Sequence, residues 1–173
     1  IAKRVAGHNA PIIRAKIDAM ALQIDATVQK VREIATELRP GLLDDLGLIA
    51  ALEWQAAEFT RRTGIACQLN VSGARVRRRR ACDIALFRIA AEAMTNVARH
   101  ARASRVDVNL STVAQAVRLE ILDDGIGTGA TATRAAGLGV LGMRERAEEL
   151  GGTFSIEQRL PSGTCVMVEL PCD

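Results

Sequence analysis

Aromatic side chains are nearly absent from this chain. There is one Trp, no Tyr and three Phe in 173 residues. A core built here must be aliphatic, and the stacking platforms used to grip single-stranded nucleic acid are missing. Histidine occurs twice, at His8 and His100, and the four cysteines, at 67, 82, 165 and 172, contain no CxxC pair. That excludes the usual zinc ligand sets and any disulfide framework, and it predicts a reducing, cytosolic setting. No apolar run is long enough to span a bilayer, and no signal peptide is present. The chain opens on Ile1 rather than Met and reads as a piece of a longer protein, which leaves room for a membrane anchor upstream.

Charge of one sign is also scarce. The formal net charge is only +3, much of it in the run Arg75, Arg77, Arg78, Arg79 and Arg80. No groove-reading motif accompanies that run, so it is read as a solvated segment before a helix, without direct nucleic-acid binding. What the chain has in quantity is aliphatic surface. Hydrophobic residues make up 49% of it, enough for a substantial core.

The pattern along the chain predicts two parts, 1–45 and 46–173. Residues 10–38 read as one long helix, with Ile13, Ile17, Met20, Ile24, Val31, Ile34 and Leu38 forming a heptad seam. So narrow a seam calls for partner helices. Residues 41–47 read as a connector and Leu48–Thr63 as a second helix stopped by Gly64. The strands are expected at 65–71, 106–110, 117–121, 153–158 and 164–170, and helices at 81–101 and 139–150. Four or five strands with three helices give a two-layer α/β sandwich. Residues 125–139, rich in Gly, Ala and Thr, read as a mobile loop.

Three segments carry chemistry. On the helix over 81–101, Arg88, Glu92, Asn96 and Arg99 fall within one quadrant, with His100 at its edge. Such a stripe is either satisfied internally or solvated, or it serves a ligand. In the second case Asn96 offers an oxygen to Mg²⁺, Glu92 orients a bound water or acts as a base, and Arg99 meets phosphate. His100 at a helix end is a cap, a structural hydrogen bonder or a phosphate contact. In Asp123-Asp124-Gly125-Ile126-Gly127, an apolar strand delivers Asp123 into a glycine turn. A carboxylate there can accept from an exocyclic amine such as adenine N6, and Gly125 and Gly127 let backbone pass a flat base. An ordinary Asp-Gly turn has the same composition. Gly137-x-Gly139-x-x-Gly142 opens a helix whose N–H groups could face phosphate. No strand precedes it, so a dinucleotide fold does not fit. Gly163-Thr164 then begins the last strand and could pack beneath a base.

In this order, the segments resemble the ATP-binding domain of two-component sensor histidine kinases, within the GHKL ATPase superfamily. Glu92…Asn96…His100-Ala101 is similar to the N box, and Asp123-x-Gly125-x-Gly127 to the first glycine box. Gly137-Leu138-Gly139…Gly142-Met143-Arg144-Glu145-Arg146 is similar to the second, in the wording of the subfamily that pairs with LuxR-type response regulators. Glu37–Leu48 resembles that subfamily's linker. The resemblance implies the Bergerat α/β sandwich, preceded by a long dimerisation helix that builds a four-helix bundle in a homodimer. It implies ATP and Mg²⁺ as cofactors, Asn96 as the metal ligand, Glu92 as the catalytic residue and Asp123 on adenine. The glycines and Thr164 line the site, and residues 126–138 form a lid.

Two departures matter. The family's phosphorylated histidine lies in a His-Asp-x-Leu-Gly-Gln-like stretch, and His8 in Ala6-Gly7-His8-Asn9-Ala10 has the wrong neighbours. The expectation is a chain that binds ATP and cannot phosphorylate itself. Thr128 stands where the family often carries an aromatic residue. Two competing readings are a GHKL serine kinase, which needs neither the heptad helix nor the linker, and a non-catalytic ATP-sensing or dimerisation module.

Overall fold

The computed structural model describes Met20 and residues 40–73, 78–127 and 138–172. The chain divides into two compact units, Ile1–Arg39 and Pro40–Asp173, and the second holds all the elements that follow. The expected helix over 10–38 lies, Met20 apart, outside the described residues. So do Arg75, Arg77, Thr128, Gly137 and most of the expected lid.

Helix α1 spans Pro40–Thr63 and is broken at Gly47, whose φ of 79° and ψ of 175° are not helical. The expected connector over 41–47 is therefore a short helix, a correction to the sequence reading. Leu43 packs on the core. Only a residue free to adopt positive φ can end one helix and start the next within a single position. Beyond the break, Leu48, Ala51, Leu52, Ala56 and Phe59 are buried at helical spacing. Gly64, at φ 74°, ends the helix with its N–H on the Thr60 carbonyl at 2.9 Å.

Strand β1 (Ala66–Ser72) is followed by helix α2 (Arg80–Asn96), which runs into a wider π turn at Val97–Ala101. The sequence pattern predicts one α-helix over this whole stretch. The last turn is instead π, and Arg102 leaves it in the left-handed region at φ 51°. Then come β2 (Arg105–Val113), β3 (Ala116–Asp123), α3 (Leu138–Glu148), β4 (Thr153–Gln158) and β5 (Thr164–Pro171). These follow the expected elements closely, including the closing hairpin, where Gln158 faces Thr164.

The five strands form one sheet in the order β1-β2-β3-β5-β4. Only β1 and β2 are parallel, and α2 supplies the crossover that a parallel pair requires. One face is apolar: Val106, Val108 and Leu110, then Val117, Leu119 and Ile121, then Val166, Val168 and Leu170. It packs in one cluster with Leu48, Leu52, Leu86, Ile89, Met94, Met143 and Ala147 of the helices. The other face carries polar pairs, among them Arg118–Glu169 at 2.8 Å and Asn70–Asn109 at 2.9 Å. The result is the expected two-layer α/β sandwich, with an aliphatic core. Trp54 is partly exposed, and Phe154 lies under the Arg144 guanidinium at 5.6 Å from its ring centre.

Candidate functional site

At one end of the apolar sheet face the pattern breaks. Among the described residues, Asp123 and Thr164 are the buried polar side chains. The β3–β5 register runs to Leu122 opposite Cys165, so Asp123 and Thr164 adjoin one step beyond the last pair. Both fall on the helix-covered face by strand alternation. A carboxylate only 3% exposed needs partners. One oxygen, Oδ1, accepts from the Gly125 N–H at 2.8 Å. Oδ2 takes no hydrogen bond among the described residues.

The turn after Asp123 is held from both sides. On one side Asp124 reaches to the start of β2, accepting from the Ser104 N–H at 2.8 Å, the Ser104 hydroxyl at 2.5 Å and the Arg105 N–H at 2.9 Å. These bonds, the Ser104 hydroxyl foremost and then the Arg105 N–H, hold its carboxyl below the usual carboxylate range. The Ile126 N–H donates to the Ala101 carbonyl at 2.8 Å, and a Cβ on Gly125 would collide with that same carbonyl. The π turn thus delivers the Ala101 oxygen to the glycine turn. On the other side Arg159 donates from Nη1 to the Asp123 carbonyl at 2.9 Å. A Cβ on Gly163 would fall on that carbonyl. Gly127, at φ 76°, lies against Gly163 and Gln158.

Helix α2 supplies the second wall. Glu92, Asn96 and Arg88 are half-buried, whereas Arg99 and His100 are exposed on the π turn. Arg99 and His100 lie on the π turn, where the angular spacing of a regular α-helix no longer applies. The Asn96 side chain makes no capping bond. The Glu92 carboxylate lies against Gly139 so closely that a Cβ there would overlap it, which ties the start of α3 to α2. The atoms nearest to a Cβ on Gly142 would be those of the Arg146 guanidinium, at 3.1 Å. Exposed Ile126, Leu138 and Leu141 flank the undescribed residues 128–137.

The structure therefore brings Asp123, Gly125, Gly127 and Thr164 together, pairs Glu92 with Gly139, and joins the two groups through the helix that also carries Asn96. Asp124 and Arg159 hold the site without any role that the sequence assigns them. Asp124 is visible there only as a second acid in a turn. Arg159 carries no local signal at all, since its partner is 36 residues away.

Residues 82–173 match the family described as histidine kinase-, DNA gyrase B-, and HSP90-like ATPase. The chain is 34% identical to the sensor histidine kinase MctS of Rhizobium johnstonii over 169 residues, covering 92% of this chain and 36% of that protein. It is 32% identical to the oxygen sensor histidine kinase NreB of Staphylococcus carnosus over 145 residues, covering 83% of this chain and 42% of that one. The chain thus spans less than half the length of these relatives. Its fold matches the histidine kinase domain of the Erythrobacter litoralis EL346 blue-light activated histidine kinase, with a TM-score of 0.61 and 26% identity over 72% of this chain and 61% of that one.

Proposed function

Because this chain belongs to the histidine kinase-, DNA gyrase B-, and HSP90-like ATPase family, we propose that it is the ATP-binding catalytic part of a sensor histidine kinase. It moves the γ-phosphoryl group of ATP to a histidine carried on another segment. The observation that carries this reading is the pair of buried polar side chains, Asp123 and Thr164, at the end of an otherwise apolar sheet face. One Asp123 oxygen is fixed by Gly125 and the other is open to an exocyclic amine.

In this reading Asp123 and Thr164 bind the base, and Gly125 and Gly127 let it approach the backbone. Gly137, Gly139 and Gly142 border the phosphates, with Arg99 and His100 as exposed donors beside them. Glu92, its carboxylate seated on Gly139, acts as the base or orients a water. Among the described residues no three His, Cys, Asp or Glu side chains gather into a metal cluster, so Mg²⁺ would be held by the Asn96 oxygen together with the ligand's own oxygens. When bound, Mg²⁺ neutralises charge on the phosphates. In this proposal the whole protein dimerises through residues 10–38 and passes its phosphoryl group to a response regulator with a LuxR-type DNA-binding domain. It works on the cytoplasmic side. No described helix is long and apolar enough to cross a membrane.

Calorimetric titration with ATP tests this reading. Binding should require Mg²⁺, and Asn96→Ala should lose it while keeping a cooperative melt. With a separate polypeptide bearing a histidine-containing dimerisation helix, the unaltered chain should form phosphohistidine in trans. Binding without such transfer would leave an ATP-sensing module and overturn the kinase assignment.

A further inference from the structure

The β4–β5 turn, Arg159–Gly163, does more than connect two strands. β3 and β5 stop pairing at Leu122 and Cys165, so the next carbonyl, that of Asp123, has lost its strand partner. The Arg159 guanidinium takes that place, donating to the Asp123 oxygen at 2.9 Å. The Arg159 N–H also donates to the Gly163 carbonyl at 2.9 Å, so this residue closes its own turn while holding β3. Gly163, at φ 102°, presses its bare Cα face on the same Asp123 carbonyl. The Gly163 oxygen in turn lies against Gly127. On the opposite side Asp124 is bound to Ser104 and Arg105.

The backbone of Asp123 is thus clamped between β2 and the β4–β5 turn, and what remains for a ligand is the second oxygen of its carboxylate, Oδ2. A carboxylate discriminates an amine from a carbonyl only while its position is fixed, because a displaced acceptor relaxes toward either edge of a base or toward water. We propose that Arg159 is a positioning residue for base selection. Through the Asp123 carbonyl it sets where the Asp123 carboxylate sits, and so determines how strongly the site prefers a purine with an exocyclic 6-amine to its 6-oxo counterpart. This rests on the assignment of Asp123 to the base.

The test compares binding of ATP and inosine triphosphate, in Mg²⁺, by the unaltered chain, Arg159→Ala and Arg159→Lys. The unaltered chain should prefer ATP. Arg159→Ala should lose about tenfold in ATP affinity and little in inosine triphosphate affinity, so that the preference shrinks. Arg159→Lys, which can still donate to the carbonyl, should keep most of the preference. If Arg159→Ala retains the full preference, or weakens both nucleotides equally along with its melting temperature, the inference fails and the site assignment stands. If the unaltered chain binds both nucleotides equally or neither, the assignment of Asp123 fails and the inference falls with it.

Discussion

A single missing methyl group decides how two helices meet at this site. Gly139 has no Cβ, and the Glu92 carboxylate occupies the space one would fill. The obstruction is a half-buried carboxylate, and moving it aside would displace the group proposed as base. Gly142, one turn later on α3, allows a comparison of stability alone. A Cβ there would meet the guanidinium of Arg146 at 3.1 Å, a contact that a shift of a few tenths of an ångström relieves. We therefore expect Gly139→Ala to displace the Glu92 carboxylate and impair nucleotide binding, with little change in denaturant unfolding, because a side-chain end moves more cheaply than backbone. Gly142→Ala should be neutral or stabilising by up to about 1 kcal/mol through helix propensity. Unchanged nucleotide binding by Gly139→Ala would show that the Glu92 contact carries no weight. The residue types here were readable, since glycines spaced at the start of a helix announce close approach. That the approaching group is Glu92 was not readable, because the two lie far apart in the chain.

Among elements, one departure from regular structure lies at the site. The π turn at Val97–Ala101 replaces a final α turn and presents the Ala101 carbonyl to Ile126. No periodicity argument detects it, because the apolar spacing of Ala93, Met94, Val97 and Ala101 suits an α-helix equally well. The break at Gly47 is a similar case. A stretch with paired acids and flanking glycines looks like a loop, yet the helix persists up to the one residue that cannot stay in it. The Asp124 staple joins the end of β3 to the start of β2, and its strength depends on charge. Its carboxyl is held below the usual range in the folded chain, chiefly by the Ser104 hydroxyl. A depressed folded value adds stability that is complete above the unfolded value, about 3.9, and vanishes as pH falls through the folded value. Melting curves of the unaltered chain and Asp124→Asn should thus differ at neutral pH by a modest margin, this being an exposed group. The two should converge below about pH 4. A gap that persists undiminished in acid would mean that charge is not what the staple uses.

At the scale of the whole unit, one aliphatic core supports everything the site needs. β3 lies at the centre of the sheet, between β2 and β5, and ends in Asp123. Leu119 in its middle is fully buried, facing Leu110 and Val168 across the strands. Leu119→Ala should cost about 2–5 kcal/mol, as cavity-forming core changes do. It should lower the denaturant midpoint with little change in slope. A small loss would mean that the core collapses onto the gap. With few aromatic anchors, stability here is spread over many Leu, Ile, Val and Ala side chains, so the sheet tolerates no large void near its centre.

The sequence by itself determined the elements and the kinds of residue at the site. Apolar alternation at period two and the 3.6-residue repeat are local signals, and they placed all five strands and the cores of three helices. Glycines beside acids marked the turns for the same reason: backbone freedom is written in a single residue. Tertiary structure alone decided the sheet order, the parallel pairing of β1 with β2, the seat of Glu92 on Gly139 and the grip of Arg159 on Asp123. Each of these joins residues distant in the chain. Such contacts follow from how the two layers close on the core, and short-range patterns hold no record of them.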